Sequence, residues 1–202
     1  MTPLRIYQYL QRIANVVLFA MPGQYQKRKL HILEEMYRLS ISVLKKSGEP
    51  FWLDFGTLLG YHRTGGIIPH DIDVDVAMME TSYEAVRKLK HQMPKGLKYY
   101  DTSANHDGPK VFFSYKGYDF DVFFYQDHED TVRSFVEATY PNERQHIPKS
   151  IVWPLKKDQF LGEEITVPNN TKGYLELMYG YLGTGGSRDK VSGLWHAPKK
   201  TD

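Results

Sequence analysis

The chain has 202 residues, about the size of one domain, and a formal net charge of +2 at pH 7. A charge this small, without a run of Lys and Arg interleaved with aromatic residues, argues against nucleic acid as a partner. The sequence contains no cysteine, which excludes disulfide bonds and a cysteine nucleophile and is consistent with a reducing compartment.

The first predicted element contains a short apolar run, IANVVLFAM, at residues 13–21, with arginine before it and lysine after it. The run is too short to span a bilayer, and Pro22 follows it where a signal peptide would have small residues. Residues 1–48 are therefore predicted to form an N-terminal helical segment that either packs on the domain or anchors it. In the second case residues 1–23 make a peripheral membrane contact. In both cases we expect a cytoplasmic protein.

A long amphipathic helix is predicted over residues 26–46, because apolar residues recur there at intervals of three and four. Gly48 is placed to end this helix. The apolar positions would form one stripe facing the core: Leu30, Leu33, Tyr37, Ile41 and Leu44.

A Gly-Thr turn follows a short apolar strand at residues 51–53, in the sequence DFGTLLG. Gly56 would let backbone N–H groups approach a phosphate, Thr57 adds a hydroxyl, and the start of the next helix favours an anion. An ordinary turn with a helix cap has the same sequence, so the assignment depends on the acidic residues downstream. With them, Asp54, Gly56 and Thr57 are predicted to form a phosphate-binding turn.

Three aspartates recur at every second position, Asp71, Asp73 and Asp75. On a strand they would share one face, because successive side chains point to opposite faces. Their repulsion is relieved by raised pKa values or by a bound cation, and hard cations such as Mg²⁺ and Mn²⁺ prefer carboxylate oxygens. A solvated edge strand that carries charges against aggregation is the alternative. The intervening residues would be buried on the other face: Ile72, Val74 and Val76.

A hairpin is predicted at residues 110–125, where two aromatic and β-branched runs meet at Lys116-Gly117. Asp119 and Asp121 then share a face. Asp121 lies deeper in the apolar run, where an unpaired carboxylate is unfavourable, so we predict it as the third metal ligand. Asp119 is interpreted as a rim residue opposite Ser114 that supports the metal ligands without binding the cation itself.

The remaining elements are predicted from turn residues and apolar spacing. We expect helices at residues 82–92, 127–138 and 171–181, and a solvated loop at 140–154. The sequence GTGGSRDKVSG at residues 183–193 and the terminal Lys199-Lys200 indicate flexibility, and residues 186–202 are predicted to form a flexible C-terminal tail, with Trp195 docking back on the domain.

These motifs in this order resemble the LicD family, whose usual form is GTLLG-x-x-R followed by IPWDDDIDI. Here the corresponding segments are GTLLG, Arg63 and IPHDIDVDV, followed by the strand at Asp121 and by FLGEEITVPNNTKGYLELMYG. His70 stands where the family has Trp, and Ile72 replaces its second aspartate. We expect His70 to fill space rather than to shape the substrate site. The resemblance implies an α+β nucleotidyltransferase-like fold of polymerase-beta type, a mixed sheet with helices packed on it, at residues 49–185.

The resemblance further implies a metal-dependent phosphotransferase. It would move phosphocholine or a phospho-alditol from a CDP-linked donor to a sugar hydroxyl of a glycan or lipid-linked saccharide and release CMP. By match of position, Asp73, Asp75 and Asp121 would bind Mg²⁺ or Mn²⁺, and Arg63 would lie near phosphate. Asp71 completes the catalytic set, either as general base or as a hydrogen-bonding neighbour.

Three other functions stay open at this point. The nearest is a nucleotidyltransferase that passes NMP from an NTP to a sugar, a small molecule or a protein, because the same carboxylates support attack at the α-phosphate. The second is a catalytically silent binding module that keeps the fold. The third is a membrane-associated scaffold built on the N-terminal segment.

Overall fold

A mixed β-sheet forms the centre of the computed structural model, which describes residues 2–17, 21, 23–136 and 138–198. Over these residues the sheet has seven strands in the order β1-β2-β5-β4-β3, with β6 beside β5 and β7 beside β6. The main sheet consists of β1 (Phe51–Leu53), β2 (Asp73–Met79), β3 (Lys98–Asp101), β4 (Lys110–Tyr115), β5 (Tyr118–His128), β6 (Thr131–Ser134) and β7 (Ile147–Pro148). Two hairpins stand apart from it: β8 (Lys156–Phe160) with β9 (Glu163–Val167), and β10 (Ser187–Arg188) with β11 (Trp195–His196).

Helices pack on this sheet, which confirms the predicted α+β class. They are α1 (Pro3–Arg12), α2 (Tyr25–Leu44), α3 (Phe55–Thr64), α4 (Tyr83–Lys88), α5 (Lys149–Val152) and α6 (Thr171–Tyr179). Ile13–Val17 continue α1 as a π-helical turn, and short 3₁₀ turns lie at Lys45–Ser47, Glu80–Ser82, Leu89–His91, Ser103–Asn105 and Pro141–Arg144. Among the described residues, no helix combines the length and hydropathy needed to cross a membrane.

The central pair of strands, β2 and β5, runs parallel, while the other paired strands are antiparallel. Their register places Asp73 opposite Asp119 and Asp75 opposite Asp121. Between these positions Val74, Val76 and Phe120 are fully buried on the other face of the sheet. The alternation of acidic and apolar residues therefore separates an acidic face from the core.

The long helix and the hairpin agree with their predictions. α2 follows the apolar stripe expected at residues 26–46 and ends in a 3₁₀ turn at Gly48, whose φ of 74° is a left-handed conformation that suits glycine. β4 and β5 are joined by Lys116 and Gly117, both at positive φ, as in the tight turns that match strand twist.

Three expectations about local structure are wrong. Residues 127–138 were expected to form a helix, but β5 continues to His128 and turns into β6. Burial alternates along β6, which is the period of a strand and not of a helix. Strand β2 begins only at Asp73, so Asp71 lies in the preceding loop and Ile72 is 46% exposed instead of buried. The expected loop at 140–154 contains the short elements β7 and α5.

The C-terminal residues 186–198 pack back against the end of α6. The backbone N–H of Tyr181 donates to the carbonyl oxygen of Trp195 at 2.9 Å, and Gly180 forms a β-bridge with the same residue. β10 and β11 close this segment as a small hairpin. The flexibility expected of residues 186–202 stays a prediction, and residues 199–202 lie outside the described part of the chain.

Candidate metal and phosphate site

Three carboxylates converge on the acidic face of the central strand pair. Asp73, Asp75 and Asp121 each offer an oxygen, and these oxygens lie within 4.8 Å of one another. The parallel register places Asp75 opposite Asp121, and Asp73 lies one pleat earlier on the same face. The site thus joins two residues of one strand with one residue that is 46 to 48 positions later in the sequence but adjacent in space.

Burial and repulsion from neighbouring carboxylates raise the pKa of all three carboxyl groups. Burial followed by repulsion from Asp73 and Asp121 raises the pKa of Asp75 well above its ordinary value. Burial, followed by repulsion from Asp119 and Asp73, raises the pKa of Asp121 to about 7. Burial also raises the pKa of Asp73. A bound divalent cation would relieve this repulsion, and an all-carboxylate set of oxygens suits Mg²⁺ or Mn²⁺.

Asp71 reaches the same site from the loop before β2. A Cβ atom on residue 56 would lie 3.0 Å from Asp71 Oδ2 and 3.7 Å from Asp75 Oδ2, so glycine leaves room for both carboxylates. Lys29, which the sequence did not single out, supports this loop by donating from Nζ to the carbonyl oxygen of Asp71 at 2.8 Å. Burial raises the pKa of Asp71, although His70 and Lys29 act in the opposite direction.

His70 does not fill space in the interior, as was expected of it. Its side chain is 85% exposed, and its Nε2 lies 3.7 Å from Asp71 Oδ1. The loop position explains the exposure, because the residues before β2 leave the pleated core. His70 therefore lies on the open side of the acidic site.

The two polar residues of the Gly-Thr turn point into the fold and not outward. Asp54 is fully buried and accepts hydrogen bonds from the hydroxyls of Tyr125 at 2.7 Å and Tyr174 at 2.8 Å. Its Oδ1 also accepts from the backbone N–H of Phe55 at the start of α3. Thr57 is 3% exposed, and its Oγ1 accepts from the backbone N–H of Asp75 at 2.8 Å.

These bonds connect the turn to strand β2 directly beneath the acidic cluster. The backbone N–H of Asp54 donates to the carbonyl oxygen of Asp75 at 3.1 Å, so both ends of the turn are tied to that residue. Burial raises the pKa of Asp54 to about 6, against the opposing effect of its hydrogen bonds. Asp54 and Thr57 thus position the site, while Gly56 is the turn residue that borders its open space.

Asp119 lies opposite Ser114 as expected, but it is buried, with 4% exposure, and is not an exposed rim residue. Its two oxygens accept from Arg5 Nη1 at 2.8 Å and Gln8 Nε2 at 2.6 Å, both on α1. Arg12 of the same helix bonds to the carbonyl oxygen of Gly117. The N-terminal helix therefore supplies hydrogen-bond donors and positive charge to Asp119 beside the three-carboxylate cluster, a contact that no local pattern in the sequence indicated.

A pocket of about 420 Å³ opens beside Asp71 and Gly56. One wall comes from the start and end of α3 and from the loop before β2: Gly56, Leu59, Arg63, Ile68, His70 and Asp71. The other wall comes from the C-terminal part of the chain: Tyr179, residues 183–186, Arg188 and Trp195. Arg63 joins the two walls, since its Nε donates to the carbonyl oxygen of Leu182 at 2.9 Å.

Among the eight predicted site residues, the structure therefore brings together Asp71, Asp73, Asp75 and Asp121 with Gly56 at their edge. Arg63 borders the adjoining pocket, and Asp54 and Thr57 lie below the turn. Of the C-terminal wall, the docking of Trp195 on the domain was expected, whereas the glycine-rich part was missed because it was interpreted as flexible. The sequence GTGG at residues 183–186 is the feature that could have indicated this wall.

Comparison with known proteins places this site within a described domain. The model of the family described as LicD/FKTN/FKRP, nucleotidyltransferase domain, matches residues 48–170. The ribitol-5-phosphate transferase FKTN of Mus musculus is 29% identical over 160 residues, which cover 73% of this chain and 32% of that protein. The ribitol 5-phosphate transferase FKRP of Homo sapiens is 26% identical over 159 residues, which cover 75% of this chain and 32% of that protein.

The chain thus spans about a third of the length of the curated transferases that it matches. Among solved structures, the lincosamide antibiotic adenylyltransferase LnuA with lincomycin bound is 14% identical. It superposes with a TM-score of 0.46 over 73% of this chain and 85% of that chain.

Proposed function

The chain belongs to the LicD family, and on that premise we propose that it is a metal-dependent transferase of substituted phosphate groups. It takes a phospho-alditol or phosphocholine from a CDP-activated donor, passes it to a sugar hydroxyl and releases CMP. The observation that carries the proposal is the convergence of Asp73, Asp75 and Asp121 within 4.8 Å beside Gly56. The family match confirms the resemblance recognised in the sequence.

The donor head group is proposed from the named relatives. Both are ribitol-5-phosphate transferases, which favours CDP-ribitol over CDP-glycerol and CDP-choline. The acceptor is proposed to be a hydroxyl of a glycan or of a lipid-linked saccharide. In the transfer, the acceptor oxygen forms a bond to the phosphorus of the head-group phosphate, and the bond from that phosphorus to the CMP oxygen breaks.

The residues have separate roles in this proposal. Asp73, Asp75 and Asp121 hold Mg²⁺ or Mn²⁺, which when bound supplies charge neutralisation for the donor diphosphate. Asp71 either accepts the proton of the acceptor hydroxyl or positions that hydroxyl by a hydrogen bond. Gly56 leaves the space in which a phosphate oxygen meets the carboxylate cluster, and Arg63 supplies positive charge in the adjoining pocket.

The division of the chain into three parts is also proposed. Residues 49–185 form the catalytic domain, residues 1–48 a helical segment on it, and residues 186–202 a C-terminal tail. Helix α1 presents Ile6, Tyr9 and Leu10 outward at 46%, 57% and 57% exposure. These three residues follow helical spacing and suit a peripheral membrane contact through residues 1–23.

The competing function is nucleotidyl transfer from an NTP to a sugar, a small molecule or a protein. The same three carboxylates would then support attack at the α-phosphate, with pyrophosphate as the leaving group. Product identity distinguishes the two reactions, because the CDP-donor reaction releases CMP and no pyrophosphate.

The test is product analysis with purified protein and Mn²⁺ or Mg²⁺. CDP-ribitol, CDP-glycerol, CDP-choline and the four NTPs are supplied in turn with saccharide acceptors, and CMP, pyrophosphate and modified acceptor are quantified. Asp121→Asn serves as the inactive variant. Asp127→Asn is the matched control, since Asp127 lies on the same strand but pairs with Lys149 at the surface. CMP with modified acceptor supports the proposal, pyrophosphate supports the alternative, and neither product supports a silent binding module.

A further inference from the structure

The pocket beside the acidic cluster has a second wall that family membership does not explain. Residues 183–186, Arg188 and Trp195 form this wall, and all of them lie beyond residues 48–170 that the family model matches. The wall is held in place by ordered contacts: Tyr181 bonds to the backbone of Trp195, and Arg188 Nε donates to the carbonyl oxygen of Gly193 at 2.9 Å.

Unused hydrogen-bond donors point to the chemistry of the ligand. Within the described part of the chain, the backbone N–H groups of Gly183, Thr184 and Gly185 donate to no acceptor. Gly185 has a φ of 73°, the left-handed conformation found in turns whose successive backbone N–H groups bind anions. Such a group of N–H donors at an open pocket is an anion-binding feature.

Arg63 adds positive charge at the same place. Its Nε and Nη2 donate to the carbonyl oxygens of Leu182 and Gly183, at 2.9 and 3.4 Å, which holds the guanidinium against the glycine-rich loop. Its Nη1 bonds to none of the described residues and is left for a ligand. The second arginine contributes less charge, because Arg188 Nη2 pairs with Glu143 at 3.3 Å and its guanidinium stacks over Tyr140.

The opposite side of the pocket is acidic and adjoins the cluster through Asp71 and Gly56. A ligand that spans the pocket therefore meets unused N–H donors at one end and the metal-binding carboxylates at the other. A volume of about 420 Å³ is larger than one phosphate requires and falls in the range of pockets for nucleotide-sized ligands.

We propose that the loop at residues 183–186, together with Arg63 and Trp195, is the binding subsite for the diphosphate and base of a nucleoside-diphosphate donor. The loop and Arg63 bind phosphate oxygens, and the partly exposed indole of Trp195 stacks on the base. This assignment rests on the proposed function for its donor. The C-terminal segment is then a binding element of the enzyme, and its removal would leave the metal cluster without a complete donor site.

Binding of pyrophosphate and of CDP, measured by calorimetry with Mn²⁺ present, tests the phosphate part. Arg63→Gln is expected to weaken both ligands by about tenfold or more, since one charge-assisted hydrogen bond contributes at least that factor. Arg38→Gln is the matched control, because Arg38 also donates from Nε to a loop carbonyl, that of Leu161 at 3.1 Å, and neither residue lines the pocket. Mn²⁺ binding itself, followed by electron paramagnetic resonance, should be equal in all three proteins.

Tryptophan fluorescence tests the base part. The chain has three tryptophans, of which Trp52 is buried and Trp195 is 39% exposed. CDP should therefore quench the emission of the native protein and protect it from acrylamide, and Trp195→Phe should remove this response. Pyrophosphate lacks a base and should leave the emission nearly unchanged.

The outcomes separate this inference from the proposed function. Equal CDP affinity in native and Arg63→Gln proteins, with no change of Trp195 emission, would overturn the subsite while leaving CDP-dependent transfer intact. Arg63-dependent binding of pyrophosphate and CDP without any transfer would support the subsite and count against the proposed reaction. Failure of both ligands to bind the native protein would overturn the subsite.

Discussion

Asp75 and Asp121 lie opposite each other on the parallel strands β2 and β5, with oxygens close enough to share one cation. Neither carboxylate is paired with an arginine or lysine among the described residues. Their mutual repulsion in a buried place is therefore a property of the fold, and it favours a cation in that position.

Replacing one carboxylate of this pair should lower activity without lowering the stability of the metal-free protein. We expect Asp121→Asn to lower transfer by about 1,000-fold, because several kcal/mol of charge stabilisation depend on the complete set. Without added metal the variant should melt at or above the native temperature, because a repulsion has been removed. Differential scanning fluorimetry with and without Mn²⁺ checks this, and Asp127→Asn should retain both the native activity and the native gain from Mn²⁺. A strong loss of metal-free stability would contradict the prediction.

The stability of the metal-free protein should depend on pH in a defined direction. Burial raises the pKa of Asp121 in the folded protein from its ordinary value of 3.8 to about 7, and it raises that of Asp75 as well. The folded state therefore binds more protons, and stability that is fully present below pH 3.8 is lost as the pH rises through about 7. In EDTA the melting temperature should fall by a few degrees between pH 5 and 8. Saturating Mn²⁺ should flatten the profile, whereas an equal slope with Mn²⁺ would argue against metal binding at these carboxylates.

Gly56 should be essential for activity but not for folding. A Cβ there would lie 3.0 Å from Asp71 Oδ2, so Gly56→Ala should displace Asp71 and lower activity by about 100-fold. Gly66→Ala is the matched control, since a Cβ at Gly66 meets no atom within 4 Å. Activity assays and thermal melts of both variants check the prediction. An active Gly56→Ala enzyme would show that the close approach of Asp71 is dispensable.

The buried hydrogen bonds of Asp54 should stabilise the fold beneath the site. Tyr174→Phe removes a hydroxyl that donates to Asp54 at 2.8 Å and leaves a buried carboxylate short of one donor. We expect the free energy of unfolding to fall by about 1–3 kcal/mol, as measured by urea denaturation. Tyr83→Phe removes a comparable bond to Asp101 at the surface and should change stability by less than about 1 kcal/mol. Equal losses in the two variants would mean that burial does not decide the effect.

The outer face of α1 should bind membranes if residues 1–23 form a peripheral contact. Sedimentation with anionic liposomes should recover the native protein, and an Ile6→Ser, Leu10→Ser double variant should stay in the supernatant. Val191→Ser is the control, because Val191 is 82% exposed but lies near the C-terminus. Equal sedimentation of native and double-variant protein would overturn the contact.

Local sequence patterns were sufficient to predict a large part of the fold. The apolar stripe of α2, the hairpin at Lys116-Gly117 and the alternation of Asp73 and Asp75 all follow from side-chain periodicity and turn conformation, which neighbouring residues determine. The choice of Asp121 over Asp119 for the cluster also agrees with its depth in the apolar run. The prediction of a helix at 127–138 was wrong, because this polar segment has no clear periodicity of apolar residues. Pairing with β5 decided its conformation.

The sequence by itself determined the family, the class of fold and the acidic residues, because these depend on motifs and on spacing along the chain. Only the tertiary structure decided the parallel register that brings Asp121 beside Asp75, the burial of Asp54, and the packing of α1 against Asp119. It also decided that a glycine-rich tail forms the far wall of the pocket. These features depend on contacts between residues far apart in the chain, and such contacts form only when the whole core packs.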